Sequence, residues 1–166
     1  MIQDFLIPLA AVALAELGDK TQLSVLLLSS KTKRHLELLV GVMLAFLIVD
    51  GIAIVAGSVI ISLVPVSIIK IISGVVFIVF GILLLVNLDK DGKKKGNAVL
   101  KTPFISGFSM IMMAEWGDKT QIASGLFATN YNPVMVLLGT MTALFMLSLM
   151  AIYLASSLQK RSTKKP

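Results

Sequence analysis

AELGDKTQ, at residues 15–22, returns almost unchanged as AEWGDKTQ at residues 114–121. The two copies differ only at their third position, and a match of this length does not arise by chance within one short chain. A weaker likeness continues into the next apolar run, where Gly41 returns as Gly139. The sequence therefore predicts an internal duplication, with one copy of the motif in each structural repeat.

The composition places both motifs in a membrane protein. The chain has 166 residues, of which 57% are hydrophobic and 14% are charged, and its mean hydropathy is +0.94. These values lie outside the range of soluble domains. Several apolar runs also reach the roughly 20 residues that a helix needs to cross a bilayer. We therefore predict an all-α integral membrane protein whose surroundings are a lipid bilayer.

Charge and cysteine content exclude other classes of protein. The net charge of +6 comes from basic residues in short segments between apolar runs, a placement that indicates membrane topology and predicts no nucleic-acid partner. The sequence has no cysteine, so neither a disulfide nor a thiolate metal site can form, and a bound metal must use oxygen atoms or His35. The N-terminus lacks the positive segment of a signal peptide, so we expect the first apolar run to be retained.

Five apolar runs are predicted to be transmembrane helices, each joined to the next by a short connection. Their bounds are residues 2–29, 36–63, 66–88, 103–129 and 133–158.

Basic residues follow the first, third and fifth of these runs, whereas the opposite side carries few charges. The positive-inside bias therefore predicts a multi-pass protein of the cell membrane, with its N-terminus outside and its C-terminus in the cytoplasm. The basic residues are Lys31, Lys33 and Arg34; Lys90, Lys93, Lys94, Lys95 and Lys101; and Lys160, Arg161, Lys164 and Lys165.

The duplication divides the chain into two unequal repeats. Repeat 1 covers residues 1–88 with three spans, and repeat 2 covers residues 103–158 with two. A basic cytoplasmic linker lies at residues 89–102, and a basic cytoplasmic tail lies at residues 159–166. The first span is predicted to run inward and the fourth outward, so the repeats are inverted relative to each other, as in many secondary transporters.

Each motif carries charge into an apolar run. Read as a continuous helix, the first motif places Glu16, Asp19 and Lys20 on one face. An ionisable side chain at membrane depth costs at least about 2.5 kcal/mol. The alternative is a set of internal ion pairs that only hold helices together, a task that leucine packing performs at lower cost. We therefore interpret the motifs as a functional site.

The two motifs together predict a site for a divalent cation. If the repeats meet near the midplane, four carboxylates converge, and two lysines offset two of their charges. Hard cations such as Mn²⁺, Ca²⁺ and Mg²⁺ prefer oxygen ligands. The predicted metal ligands are Glu16, Asp19, Glu115 and Asp118. The predicted supporting residues of the ion path are Lys20, Thr21, Gln22, Lys119, Thr120, Gln121 and Asp50.

Crowded carboxylates in a low-dielectric site exchange protons readily when a metal leaves, which predicts proton antiport. Glu16 and Glu115 are interpreted as the proton carriers, and Asp19 and Asp118 as the groups that hold the ion, although the sequence does not distinguish these assignments. The two motif lysines either tune the affinity or occupy the empty site as internal cations.

Three further residues have open interpretations. Gly18 and Gly117 either let the backbone unwind and offer carbonyl ligands, or mark close helix contacts. Asp50 is a further ligand or proton relay, or a partner of a motif lysine, or it faces water. Its counterpart in the second repeat is Ser148, so the predicted site is asymmetric.

The motif pair resembles the hallmark of a known family, the Gdt-type calcium/manganese cation-proton exchangers of the lysine-exporter superfamily. The hallmark is Glu-x-Gly-Asp-Lys/Arg-Ser/Thr, which is intact at residues 16–21 and 115–120. The resemblance implies two antiparallel three-helix repeats, exchange of Ca²⁺ or Mn²⁺ for H⁺, and no cofactor besides the transported ions. A sixth span is missing here, which leaves open a complete monomer, a homodimer that covers the gap, or a shortened chain.

Two other functions fit the same acidic site. The first is a passive cation channel or an exporter of small organic cations, and the second is a membrane scaffold without transport. Proton movement in step with metal flux separates an exchanger from both. The sequence contains no nucleophile and base pair, phosphate loop or cofactor fingerprint, so an enzyme is not predicted.

Overall fold

The computed structural model describes residues 1–63 and 102–162, together with positions 65, 67, 68, 71, 72, 74, 75 and 78. Most of the third predicted span lies outside these residues, as do all but the last residue of the basic linker and Lys164 and Lys165 of the basic tail. The five-span count and the membrane orientation therefore stay predictions.

The described part of the chain contains six helices and no strand. They are α1 at Ile2–Glu16, α2 at Lys20–Ser30, α3 at His35–Leu63, α4 at Pro103–Glu115, α5 at Lys119–Asn130 and α6 at Pro133–Ser162.

Helices α3 and α6 are the long elements. Within the described residues, His35–Ile60 and Pro133–Ser157 are long and apolar enough to cross a membrane. Asn132 fixes the start of α6, because its side-chain oxygen accepts hydrogen bonds from the backbone N–H groups of Val134 at 3.0 Å and Met135 at 3.3 Å. Both helices match the second and fifth predicted spans closely.

The first and fourth predicted spans are each broken at the motif, so the interpretation of the motif as continuous helix is wrong. Helix α1 ends at Glu16 and α2 begins at Lys20, and α4 and α5 are separated in the same way. Gly18 and Gly117 both have φ of 80°, a left-handed conformation that favours glycine. With 15 and 11 residues, neither α1 nor α2 reaches the length of a membrane span alone.

Each broken span packs on the long helix of the other repeat. Helices α1 and α2 lie against α6, whereas α4 and α5 lie against α3, and the two long helices also contact each other. Equivalent glycines allow both contacts. A Cβ on Gly41 would collide with the carbonyl oxygen of Phe104, and one on Gly139 would collide with that of Phe5. The repeats are therefore interlocked, and the core between them holds both motifs.

Candidate metal centre

The helix breaks place the acidic residues of the motifs at helix ends. Glu16 and Glu115 are the last residues of α1 and α4. Asp19 and Asp118 are the N-cap residues of α2 and α5, and Asp19 accepts a hydrogen bond of 2.6 Å from the backbone N–H of Lys20. Aspartate is favoured at a helix N-terminus, because the exposed N–H groups and the helix dipole stabilise its charge. Each break therefore brings one glutamate and one aspartate together.

Each buried glutamate is bound by the other repeat. Only 2% of Glu16 and 3% of Glu115 is exposed. The hydroxyl of Thr120 donates to Oε1 of Glu16, and the hydroxyl of Thr21 donates to Oε1 of Glu115. These reciprocal hydrogen bonds join the two motifs directly across the interface between the repeats.

Lys119 lies among three carboxylates. Its Nζ forms an ion pair with Asp19 and lies 3.2 Å from Oε1 of Glu16 and 3.4 Å from Oδ2 of Asp118. One oxygen atom from each of these three residues lies within 4.8 Å of the other two. We call Glu16, Asp19 and Asp118 the carboxylate cluster. Its three negative charges and one ammonium leave a net charge of −2.

Three predicted site residues hold positions that the sequence did not specify. Glu115 lies outside the carboxylate cluster. The side-chain oxygens of Gln22 and Gln121 accept hydrogen bonds from the N–H groups of Gly18 at 2.8 Å and Gly117 at 2.6 Å. The glutamines therefore stabilise the breaks, and their amide oxygens are already engaged.

Asp50 lies in the middle of α3 with 2% of its surface exposed. The hydroxyl of Ser124 in α5 donates a hydrogen bond of 2.9 Å to its Oδ1. Lys119, which the sequence offered as a partner of Asp50, pairs with the carboxylate cluster instead. Asp50 is therefore a second buried acidic position, beside the cluster and separate from it.

Ser124 and the carbonyl of Val49 are site contacts that the sequence analysis missed. Ser124 is fully buried, and Nε2 of Gln121 donates a hydrogen bond of 3.1 Å to the Val49 carbonyl. Ser124 follows Gln121 by three residues and so shares its helix face. This spacing was the only signal in the sequence. It indicates the face of α5 on which Ser124 lies, but not the residue that Ser124 contacts.

Ser148 faces a small cavity beside Glu16. The cavity has a volume of about 10 Å³, and Glu16, Gln22 and Ser148 are among the residues that line it. Nε2 of Gln22 is buried and has no hydrogen-bond partner in the described part of the chain. The long helices of the two repeats therefore differ at this position, because α3 presents a carboxyl bound by Ser124 and α6 presents a serine beside a cavity.

The sequence matches a known protein family. The chain matches the family of the divalent cation/proton antiporter GDT1 over residues 4–92 and 103–165. The chain belongs to this family. The GDT1 family consists of cation transporters, so the prediction that the chain is not an enzyme is confirmed, and with the apolar helices it identifies a membrane protein.

Three relatives of the chain are informative. It is 34% identical over 136 residues to a Vibrio cholerae protein named as a candidate manganese exporter, covering 81% of this chain and 67% of that protein. It is 37% identical over 62 residues to a chloroplastic PAM71 homolog of Arabidopsis thaliana, and this match covers 37% of this chain and 17% of that protein. It is 34% identical over 59 residues to the chloroplastic GDT1-like protein 2 of Oryza sativa subsp. japonica, and this match covers 36% of this chain and 17% of that protein. No solved structure gives a significant match.

Proposed function

We propose that the chain is a secondary transporter that moves Mn²⁺ or Ca²⁺ across the cell membrane in exchange for H⁺. The observation that carries the proposal is the carboxylate cluster, to which both repeats contribute and in which Glu16 is buried while Asp19 and Asp118 are half-buried. The GDT1 family description supports cation/proton exchange, and the name of the Vibrio cholerae relative supports manganese.

The dimensions of the carboxylate cluster suit a divalent ion. Oxygen ligands lie roughly 2.3–2.6 Å from Ca²⁺, so two ligands on opposite sides of the ion are about 5 Å apart. The three oxygens of the cluster lie within 4.8 Å of one another. An ion placed between them would need only a small movement of the side chains. Glu115 would add a fourth carboxylate if the packing around Thr21 shifts.

Lys119 stands where the transported cation would bind. An ammonium and a metal ion cannot share one position between the same oxygens, and their charges repel each other. Binding of the metal therefore displaces Nζ of Lys119, and release of the metal lets it return. In this scheme the lysine neutralises part of the cluster charge while the carrier changes conformation without metal.

The interlocked repeats supply the movement. Each motif lies at a break between two short helices, and each pair of short helices packs on the long helix of the other repeat. Rocking of one repeat against the other would open the cluster to one side of the membrane and then to the other. The N-terminus is placed outside and the C-terminus in the cytoplasm in this proposal, and a homodimer remains a prediction.

Reconstituted flux tests the proposal. Purified protein in liposomes should accumulate Mn²⁺ or Ca²⁺ along an imposed pH gradient, with a matching change of internal pH. Glu16→Gln should reduce this flux to the level of empty liposomes, because it removes one charge from the carboxylate cluster. Glu37→Gln is the matched control, since Glu37 pairs with Arg34 at the surface.

The alternatives give different results in the same assay. Metal flux that continues without any proton movement indicates a channel. Folded wild-type protein that moves neither metal nor proton indicates a scaffold. Wild-type flux in Glu16→Gln would remove the carboxylate cluster from the mechanism.

A further inference from the structure

Asp50 is a buried carboxyl that the carboxylate cluster does not use. Ser124 binds one of its oxygens at 2.9 Å. The ion pairs of Lys119 join it to the carboxylate cluster, and Arg34 pairs with Glu37, so neither of these cations pairs with Asp50. Burying an ionised carboxylate without a cation is costly, whereas the neutral acid with one hydroxyl partner is tolerated.

Carboxylates lie at the helix ends beside Asp50. Gln121 and Ser124 of α5 bind the Val49 carbonyl and Asp50, so Asp118, the N-cap of α5, lies near Asp50. Glu16 and Glu115 end the helices that precede the two breaks. Lys119 on α5 forms its ion pair with the carboxylate cluster. The polar residue that α6 contributes to the cavity beside Glu16 is Ser148. A negative charge on Asp50 is therefore opposed whenever the cluster lacks a divalent cation.

The duplication did not copy Asp50. The acidic motif is present twice, but the counterpart of Asp50 is Ser148, which lines a cavity beside Glu16. A chain therefore has two motif copies for the cation and one carboxyl at this second position. A single position beside a duplicated site suits a task performed once per transport cycle.

We propose that Asp50 carries a counter-transported proton, and this inference rests on the proposed function. When the cation leaves the carboxylate cluster, a hydronium ion of the solution on that side gives a proton to the Asp50 carboxylate, so that an O–H bond of hydronium breaks, an O–H bond forms on Asp50 and water remains. When a cation enters, that bond breaks and the proton returns to water. Asp50 therefore accounts for one proton per cation.

Asp50→Asn tests the assignment, because the amide has nearly the same shape and carries no exchangeable acid proton. Detergent-purified protein in a weakly buffered solution is titrated with MnCl₂ while bound Mn²⁺ and released protons are counted. Asp50→Asn should still bind Mn²⁺ and should release about one proton fewer per ion than wild type. In liposomes its Mn²⁺ flux should no longer follow the imposed pH gradient. Asp50→Glu should restore both, and Glu37→Gln should match wild type.

The outcomes separate this inference from the proposed function. If wild type couples Mn²⁺ to protons and Asp50→Asn releases as many protons per bound ion, the assignment of Asp50 is overturned and the exchanger stands. If folded wild type neither binds nor moves a divalent cation, the proposed function fails and the inference fails with it.

Infrared difference spectra provide a reading that does not depend on the folding of Asp50→Asn. Mn²⁺ binding to wild type should remove a carboxylic-acid C=O band. Ser124→Ala should shift the frequency of that band, because it removes the hydroxyl that binds Asp50. The proposal is contradicted if Mn²⁺ binding removes no acid band, or if Ser124→Ala leaves the frequency of that band unchanged.

Discussion

Lys20 and Lys119 hold the same place in the two motif copies, but their surroundings differ. Lys119 has 16% of its side chain exposed and reaches all three members of the carboxylate cluster. Lys20 is exposed, and its backbone N–H binds Asp19. The two copies are therefore not equivalent in this conformation, although their sequences match at every charged position.

Removing the ammonium at residue 119 should strengthen metal binding. Lys119→Met should raise the affinity for Mn²⁺ about tenfold, equivalent to about 1.4 kcal/mol, because the metal no longer competes with a tethered cation. Lys20→Met should change the affinity much less, and calorimetric titration of purified protein compares the two. Equal effects of both substitutions, or weaker binding in Lys119→Met, would contradict the tethered-cation scheme.

The sequence predicted that acidic residues of the two motifs lie close together, but it did not predict their arrangement. Duplication of the motif was enough to predict that acidic groups from both repeats would meet. Whether Glu115 joins the carboxylate cluster depends on the hydrogen bond from Thr21, and that bond depends on how α2 packs. Contacts across an interface of this kind leave no trace in residue spacing.

At the scale of helices, the apolar runs predicted α3 and α6 well, but they did not predict the helix breaks at the two motifs. In a helix that is apolar on all sides, no change of pattern marks its end. The signals that do end α1 are local: a left-handed Gly18, an N-cap Asp19, and a glutamine that binds the freed N–H. Unwinding at Gly18 was one of two interpretations that the sequence left open, and residue spacing alone did not decide between it and a close helix contact.

The left-handed glycine at the first break gives a prediction about stability. Gly18→Ala should lower the free energy of unfolding by about 1–2 kcal/mol, because alanine is strained at a φ of 80°. The added methyl group itself meets no atom within 4 Å. Thermal unfolding in detergent measures the change.

Gly51→Ala is the matched control for this measurement. Gly51 lies inside α3, and a Cβ there also meets nothing within 4 Å. Alanine favours helix by about 0.8–1.0 kcal/mol over glycine, so this substitution should be neutral or stabilising. Equal destabilisation by both substitutions would show that backbone conformation at the break is not the cause.

For the whole molecule, the interlocked packing was beyond prediction from the sequence. Helices without a polar face do not indicate which neighbour they pack against. The structure shows that α1 and α2 depend on α6, and that α4 and α5 depend on α3. Within the described residues, the short helices of each repeat therefore pack on a long helix of the other repeat.

This dependence predicts the behaviour of a divided chain. Two polypeptides separated within the predicted linker at residues 89–102 should co-purify when expressed together and should restore Mn²⁺ flux. Each half expressed alone should be degraded or aggregate, because its long helix lacks the partners that cover it. Size-exclusion chromatography after affinity capture of one half provides the measurement, and the undivided chain is the control. A monodisperse single half would contradict the interlocked arrangement.

The exchange of partners between the repeats also bears on how such a chain could arise. A gene that encoded one repeat would yield a product whose short helices had to be covered by a second copy. Function at that stage would require two identical molecules, each completing the other. Fusion of two such genes would free the copies to mutate independently, and Asp50 in one half with Ser148 at the counterpart position is a difference that two identical subunits could not maintain.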